Sequence, residues 1–296
     1  MTEASGKVIL FGEHFVVHGA PAIAAGISGK VEVTVKQADE NKIITERKVN
    51  KEDSVNAIQN ILDSMGIKEK YEVTLTGDLR TYGGLGSSAA FCVALVKALA
   101  EEKDIHPTKA EINKHAFEGE KAFHGTPSGI DNTVASYGGI VEFTKREEGE
   151  NRVEFFNPGK ALDMVVAFTG KYGPTAKMIE RVKRFREQDE TEFAMLMDEY
   201  LDIAREGRKF LEKGKRRMIG TLMNANQSLL SELGVSDEAN DKVIRITLDE
   251  GALGAKLTGG GGGGCCIALA KDEEHAKKIS ERLAKEGFDS FTTKIK

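Results

Sequence analysis

Residues 83–90, GGLGSSAA, constrain this chain more than any other stretch, because a glycine loop there must turn straight into a helix. From Ser87 to about Glu101 the run AAFCVALVKALAEE is made of good helix formers. The glycines therefore sit at a helix N-terminus, where unpaired backbone N–H groups and the helix dipole attract anions. Consecutive glycines leave room for backbone amides to approach phosphate oxygens, and Ser87 and Ser88 add hydroxyls that suit a phosphate or a metal.

Two common phosphate loops do not fit the context. Residues 84–89 satisfy the G-x-G-x-x-A pattern of dinucleotide-binding folds. That fold needs an acidic residue at the end of the next strand, about twenty residues on. Here the spacing lands on Glu101 and Glu102, still in the helix and followed by Ile105-His106-Pro107. A Walker loop, G-x-x-x-x-G-K-[ST], occurs nowhere in the chain.

Up to about residue 160 the pattern is strand-rich. KVILFGEHFVV, PAIAAGI, KVEVTVK and KIITE carry β-branched and alternating residues, and YEVTLTGDL follows a helix expected at Val55–Met65 that ends at Gly66. A second helix runs from Thr108 to Phe123, with Thr108 and Glu111 spaced as a capping box. After LDMVVAFTG at 162–170 the composition changes to long charged amphipathic helices, expected at 175–187, 190–213, 215–233 and 236–251. GAKLTGGGGGGCCIALA then reads as strand, glycine loop and strand, before a helix near 272–286 and a closing strand FTTKIK. Strands split around helices suit an α+β fold in two domains, 1–160 and 161–296.

The 296 residues mix both signs of charge to a net −5, with no basic stripe, so nucleic acid is not an expected partner. No apolar run approaches the ~20 residues of a membrane span, and the N-terminal residues lack the basic-then-apolar order of a signal peptide. Cys92, Cys265 and Cys266 are odd in number and lack C-x-x-C spacing, as for reduced thiols in a cytoplasmic protein. His14, His18 and His124 form no zinc motif.

Phosphoryl transfer needs a cation near the reacting oxygens, a group for the acceptor's proton, and Mg²⁺ held by oxygen ligands. Lys7 ahead of an apolar strand, Glu120 near a helix end and Asp131 after a Pro-Ser-Gly turn are candidates for these tasks. Each has a plainer reading: a solvated lysine, an exposed glutamate paired along its helix, and a helix N-cap. The six glycines at 259–264 fit either a flexible linker or a tight turn beside a ligand.

Four stretches, SGKVILFGEHFVVHG at 5–19, GGLGSSAA at 83–90, GEKAFHGTPSGIDN at 119–132 and KLTGGGGGGC at 256–265, together resemble the mevalonate kinases of the GHMP kinase superfamily. They span nearly the whole chain in family order. The resemblance implies a ribosomal-S5-domain-2-like N-terminal domain, a ferredoxin-like C-terminal domain, and ATP as co-substrate in a cleft between them. It maps the phosphate loop to Gly83, Gly84, Leu85, Gly86, Ser87 and Ser88, with Mg²⁺ on Ser88 and Glu120. It makes Asp131 the general base and Lys7 its partner at the substrate hydroxyl, and puts Glu13 and His14 near the mevalonate carboxylate. Thr175 matches a substrate-side threonine, although Gly-Pro-Thr-Ala-Lys departs from the usual Ser-Thr-Lys order, and Gly260 stands where alanine is common. The implied reaction is ATP-dependent phosphorylation of mevalonate. Other GHMP kinases, acting on phosphomevalonate, homoserine or a sugar, and a non-catalytic binding protein of the same fold remain the alternatives; a homodimer is left open.

Overall fold

The computed structural model describes residues 1–80, 83–146, 149, 151–173 and 175–296. Thr81 and Tyr82, part of the lead-in to the glycine loop, and Pro174, beside Thr175, lie outside the described residues.

The chain opens with β1 (Thr2–Phe11), a 3-10 turn at Phe15–His18, β2 (Pro21–Ala38) and β3 (Lys42–Ile44). Then come α1 (Lys51–Met65), β4 (Lys70–Thr76), α2 (Ser87–Glu102), α3 (Lys109–His124), α4 (Ile130–Tyr137), β5 (Ile140–Thr144) and β6 (Arg152–Phe156). The remainder is β7 (Leu162–Phe168), α5 (Thr175–Gln188), α6 (Glu190–Glu212), α7 (Arg216–Glu232), α8 (Glu238–Asp249), β8 (Gly254–Thr258), β9 (Cys265–Leu269), α9 (Glu273–Lys285) and β10 (Ser290–Ile295). These gather into two compact units, one of Met1–Lys7, Gly26–Thr81 and Gly86–Gly138, the other of Val8–Ala25, Tyr82–Leu85 and Gly139–Lys296.

In the first unit, the later part of β2 pairs antiparallel with β4, and β3 pairs parallel with β4. Helix α2 is buried along almost its whole length, from Ala89 to Ala100, because a helix apolar on every side has no face to offer water. It supports α3, which begins at the Thr108–Glu111 capping box that the spacing predicts. Helix α1 starts four residues earlier than expected, because the Asn50 side chain accepts from the backbone N–H groups of Glu52 and Asp53 and so caps a charged first turn. Gly119 of α3 lets three helices meet. A Cβ there would lie 2.6 Å from Ile61 Cδ1 of α1 and 2.8 Å from Cys92 Sγ of α2.

In the second unit, the start of β2 pairs with β5, and β5 with β6, all antiparallel. A separate antiparallel sheet has the order β10-β7-β9-β8. Its β8 edge is closed by side-chain amides of α7: Ala255 N–H donates to Asn224 Oδ1 at 2.8 Å, and Leu257 N–H to Gln227 Oε1 at 2.9 Å. Edge strands left open invite pairing with other chains. Two expectations are corrected here. The first strand stops at Phe11, because Gly12 and His14 both take positive φ and turn the chain into the 3-10 turn. PAIAAGI and KVEVTVK are a single 18-residue strand. Among the described residues no helix is long and apolar enough to cross a membrane.

Filling the space at Gly119 tests the three-helix junction. Gly119→Ala is expected to lower unfolding free energy by about 1–3 kcal/mol through overpacking, read by urea denaturation. An unchanged midpoint would mean that Ile61 and Cys92 yield without cost.

Candidate active site

Strand β1 brings Lys7 to its place, and the Pro-Ser-Gly turn brings Asp131. The N-cap of α4 is Gly129, so Asp131 sits inside the first turn of the helix instead of capping it. Lys7 Nζ lies 3.0 Å from Asp131 Oδ1, with the lysine almost wholly buried and the aspartate partly exposed. An ammonium is withdrawn from water only when a partner compensates it, so the reading of Lys7 as a solvated surface lysine is set aside. Gly86 makes room for the pair. It is the N-cap of α2, with φ 67, and a Cβ there would stand 3.0 Å from Lys7 Cγ and 3.5 Å from Asp131 Oδ2. No side chain caps α2, which leaves the backbone N–H groups of its first turn open to an anion beside the pair.

Glu120, at the end of α3, is 1 % exposed, which removes the exposed-helix-face reading. Its Oε1 has no hydrogen-bond partner among the described residues. Burial, reinforced by the nearby Asp131 charge, pushes its pKa up to about 8, against the pull of the Ser88 hydroxyl and Lys7. Ser88 Oγ is 3.3 Å from His124 Nε2, and His124 Nε2 is 4.0 Å from Glu120 Oε2. Burial also lowers the His124 pKa. Among the described residues no three His, Cys, Asp or Glu side chains gather as a metal cage. A carboxylate with an unpartnered buried oxygen beside a second carboxylate and a hydroxyl is nonetheless a fitting donor set for Mg²⁺, which keeps several waters and shares its coordination with phosphates.

The other unit holds Gly83, Gly84, Leu85, Glu13, His14 and Thr175. Gly83 is exposed and Leu85 is buried. Gly84 has φ 91 and packs backbone to backbone on the start of the late glycine run, its Cβ position 2.9 Å from the Thr258 carbonyl oxygen. Glu13 is fully buried, and its Oε1 accepts from Lys256 Nζ, which also donates to the Leu257 carbonyl at 2.8 Å. His14 Nε2 bonds the Gly260 carbonyl at 2.9 Å, so that nitrogen carries the proton. Burial lowers the His14 pKa to about 4, more than the Gly260 bond raises it, and the ring is neutral at pH 7. Thr175 is exposed at the start of α5, beside Gly260.

Sequence reasoning missed Lys256 and Asn240. Lys256 stood in a quoted stretch, and its signal is a lysine between Ala255 and Leu257 in an apolar strand. Asn240 of α8 donates through Nδ2 to the Gly263 carbonyl and accepts through Oδ1 from Gly263 N–H, both at 2.9 Å. Nothing local announces that an asparagine in a charged helix reads a distant glycine loop.

Comparison with known proteins gives the family. The model for the GHMP kinases N terminal domain matches residues 52–139, and that for GHMP kinases C terminal matches residues 208–289. A mevalonate kinase of Pyrococcus abyssi is 34% identical over 93% of this chain and 89% of its own length. The chain belongs to the mevalonate kinase family of GHMP kinases. Another family member, from Aeropyrum pernix, is 32% identical over 99% of this chain and 94% of its own. The crystal structure of L. major mevalonate kinase in complex with R-mevalonate superposes with a TM-score of 0.93 at 34% identity, covering 100% of this chain and 95% of that one. The GHMP kinase fold, α+β with N- and C-terminal kinase domains, is thereby the fold of this chain.

Burial of Glu120 has a measurable cost in this family member. Between pH 4.5 and about 8 the unfolded chain has released the Glu120 proton while the folded chain retains it, so stability falls as pH rises through that window. Glu120→Gln removes this cost and is expected to stabilise the ligand-free protein by about 3 kcal/mol at pH 7, with the difference vanishing towards pH 4.5. Urea titrations of both proteins at acidic and mildly alkaline pH check this. A constant difference between them would show that Glu120 ionises freely in the fold.

Proposed function

We propose that the chain transfers the γ-phosphoryl group of ATP to the primary 5-hydroxyl of mevalonate, giving 5-phosphomevalonate and ADP. The observation that carries this reading is the pairing of the buried Lys7 with the partly exposed Asp131 beside the N-terminus of α2, which no side chain caps. In the proposed reaction the Asp131 carboxylate takes the hydroxyl proton as the substrate oxygen bonds to the γ-phosphorus. The bond to the β,γ-bridging oxygen breaks, and its electron pair leaves on ADP. The Lys7 ammonium offsets the negative charge developing on the attacking oxygen. Proton transfer and phosphoryl transfer need not coincide, since transition states of this class are loose.

The loop Gly83, Gly84, Leu85, Gly86, Ser87 and Ser88 is proposed to receive the phosphates, with the first-turn N–H groups of α2 acting as donors. Ser88 and Glu120 would hold Mg²⁺, which when bound supplies positive charge to the phosphate oxygens. The unpartnered Oε1 of Glu120 supports that assignment. Glu13, His14 and Thr175 are proposed on the substrate side. A neutral His14 offers mevalonate a hydrogen bond, not a countercharge. The division into N- and C-terminal domains near residue 160 belongs to the same reading. So does a cytoplasmic setting, which is in keeping with three buried cysteines that form no disulfide.

Asp131→Asn keeps the side-chain volume and one acceptor but cannot take a proton. Turnover is expected to fall by about 10²–10⁴-fold with ATP affinity unchanged, measured by coupled ADP release with mevalonate, with and without Mg²⁺, and by nucleotide titration. Retained turnover would remove Asp131 from the chemistry. Absence of mevalonate-dependent ADP release in the unaltered protein would overturn the function itself.

A further inference from the structure

Two adjacent residues, Glu13 and His14, are gripped by two residues of a single strand-to-loop segment. Lys256 in β8 holds Glu13, and Gly260, four residues on, holds His14 through its carbonyl. Between the two grips, His14 takes φ 66 and ψ −42. A non-glycine residue stays in such a conformation only where its surroundings over-determine it. The surroundings are tight. Phe15 stacks on Tyr200 with ring centroids 4.3 Å apart, and Glu13 is near enough to Tyr200 to help burial raise the phenol's pKa.

We infer that Lys256 is a positioning residue for mevalonate: by anchoring Glu13 it fixes the strained His14 turn, and so sets substrate affinity without touching the reacting atoms. This rests on the functional reading above. Stability alone does not account for the pair. Neither side chain is exposed, and burial lowers the Lys256 pKa while Glu13 raises it. A buried ion pair replaced by apolar side chains of similar volume is often as stable or more so. An apolar residue between Ala255 and Leu257 would suit the strand, whereas a lysine there donates to Glu13 Oε1 and holds that carboxylate in place.

The same segment reaches Thr175. A Cβ at Gly260 would meet Thr175 Oγ1 at 2.7 Å and Thr175 Cβ at 3.0 Å. Gly260 thus presents its carbonyl to His14 and leaves space for Thr175. Lys256, Glu13, His14, Gly260 and Thr175 form one connected chain of contacts.

The experiment compares the full-length protein with Lys256→Met, Lys256→Gln and Lys256→Arg. Each is checked for folding by thermal unfolding and then titrated with mevalonate and with ATP. The unaltered protein comes first: if it does not turn over mevalonate, the functional reading fails, and this result is distinct from failure of the inference. The expected result is a mevalonate KM raised about tenfold or more in folded Lys256→Met and Lys256→Gln, with kcat and the ATP KM changed less than about threefold. Lys256→Arg, which restores a cation to Glu13, is expected to recover most of the mevalonate affinity. An unchanged mevalonate KM in either folded neutral variant overturns the inference, as does a parallel loss in kcat and both KM values. Should Lys256→Met fail to fold, Lys256→Gln decides. If neither folds, the lysine is structural and the inference falls.

Discussion

An ammonium held 3.0 Å from a carboxylate beneath a residue with no side chain is the constraint on which the first unit turns. Lys7 is buried against Asp131, which sits in the first turn of α4, two residues after the Gly129 N-cap. Lys7 gains its space from the missing side chain at residue 86, where a Cβ would stand 3.0 Å from Lys7 Cγ. The same glycine opens α2 without capping it, so the anion-attracting end of the helix and the lysine–aspartate pair are fixed by one backbone position. Helix α2 is apolar on all sides and anchored by the core, which gives its N-terminus little freedom to drift. A site that must align an alcohol oxygen with a phosphorus benefits from this rigidity, since errors of about 1 Å cost rate heavily.

In both units the protein keeps charges where stability would not put them. Glu120 is buried with one oxygen unpartnered and with Asp131 close enough to raise its pKa further. Glu13 and Lys256 are buried together in the other unit. A fold selected only for stability would replace these groups by hydrocarbon. Together with the positive φ at His14, they are the places where local rules are broken.

What the sequence makes legible is what is decided locally. The Thr108–Glu111 capping box and the glycine loop running into α2 are each set within a few residues, and they appear as read. The break in the first strand at Phe11 is hidden because Gly-Glu-His carries no turn signature stronger than one glycine, and the positive φ of His14 accompanies a bond to Gly260, distant in sequence. The single long β2 was read as two strands because Gly26 and Gly29 imitate a turn. Burial of Lys7, Glu120 and Lys256 was illegible by composition, since a lysine or glutamate is ordinarily exposed. For Lys7 and Lys256 the burial is tied to a partner distant in sequence, 243 residues away for Lys256 and Glu13. The needs of phosphoryl transfer bring Lys7 and Glu120 forward and the resemblance gives them roles, but neither reaches Lys256.

The late glycine run shows why composition alone misleads. By composition six consecutive glycines suit a linker, although their apolar strand flanks favour a tight turn, and ordering them costs more backbone entropy than ordering any other residues. Yet Gly259 and Gly261 to Gly264 all have positive φ, between 64 and 108, a path that residues with side chains rarely follow. The path is bonded at several points. Asn240 reads both backbone groups of Gly263, Gly262 N–H donates to the Val235 carbonyl at 2.8 Å, and Gly264 N–H to that of Lys171 at 2.8 Å. A solvated linker would have no use for a buried asparagine aimed at its backbone. The glycines are present because the route requires them, and the hydrogen bonds offset the entropy. The loop that lies against Gly84 and offers its Gly260 carbonyl to His14 is thus held in shape by bonds from the fold itself.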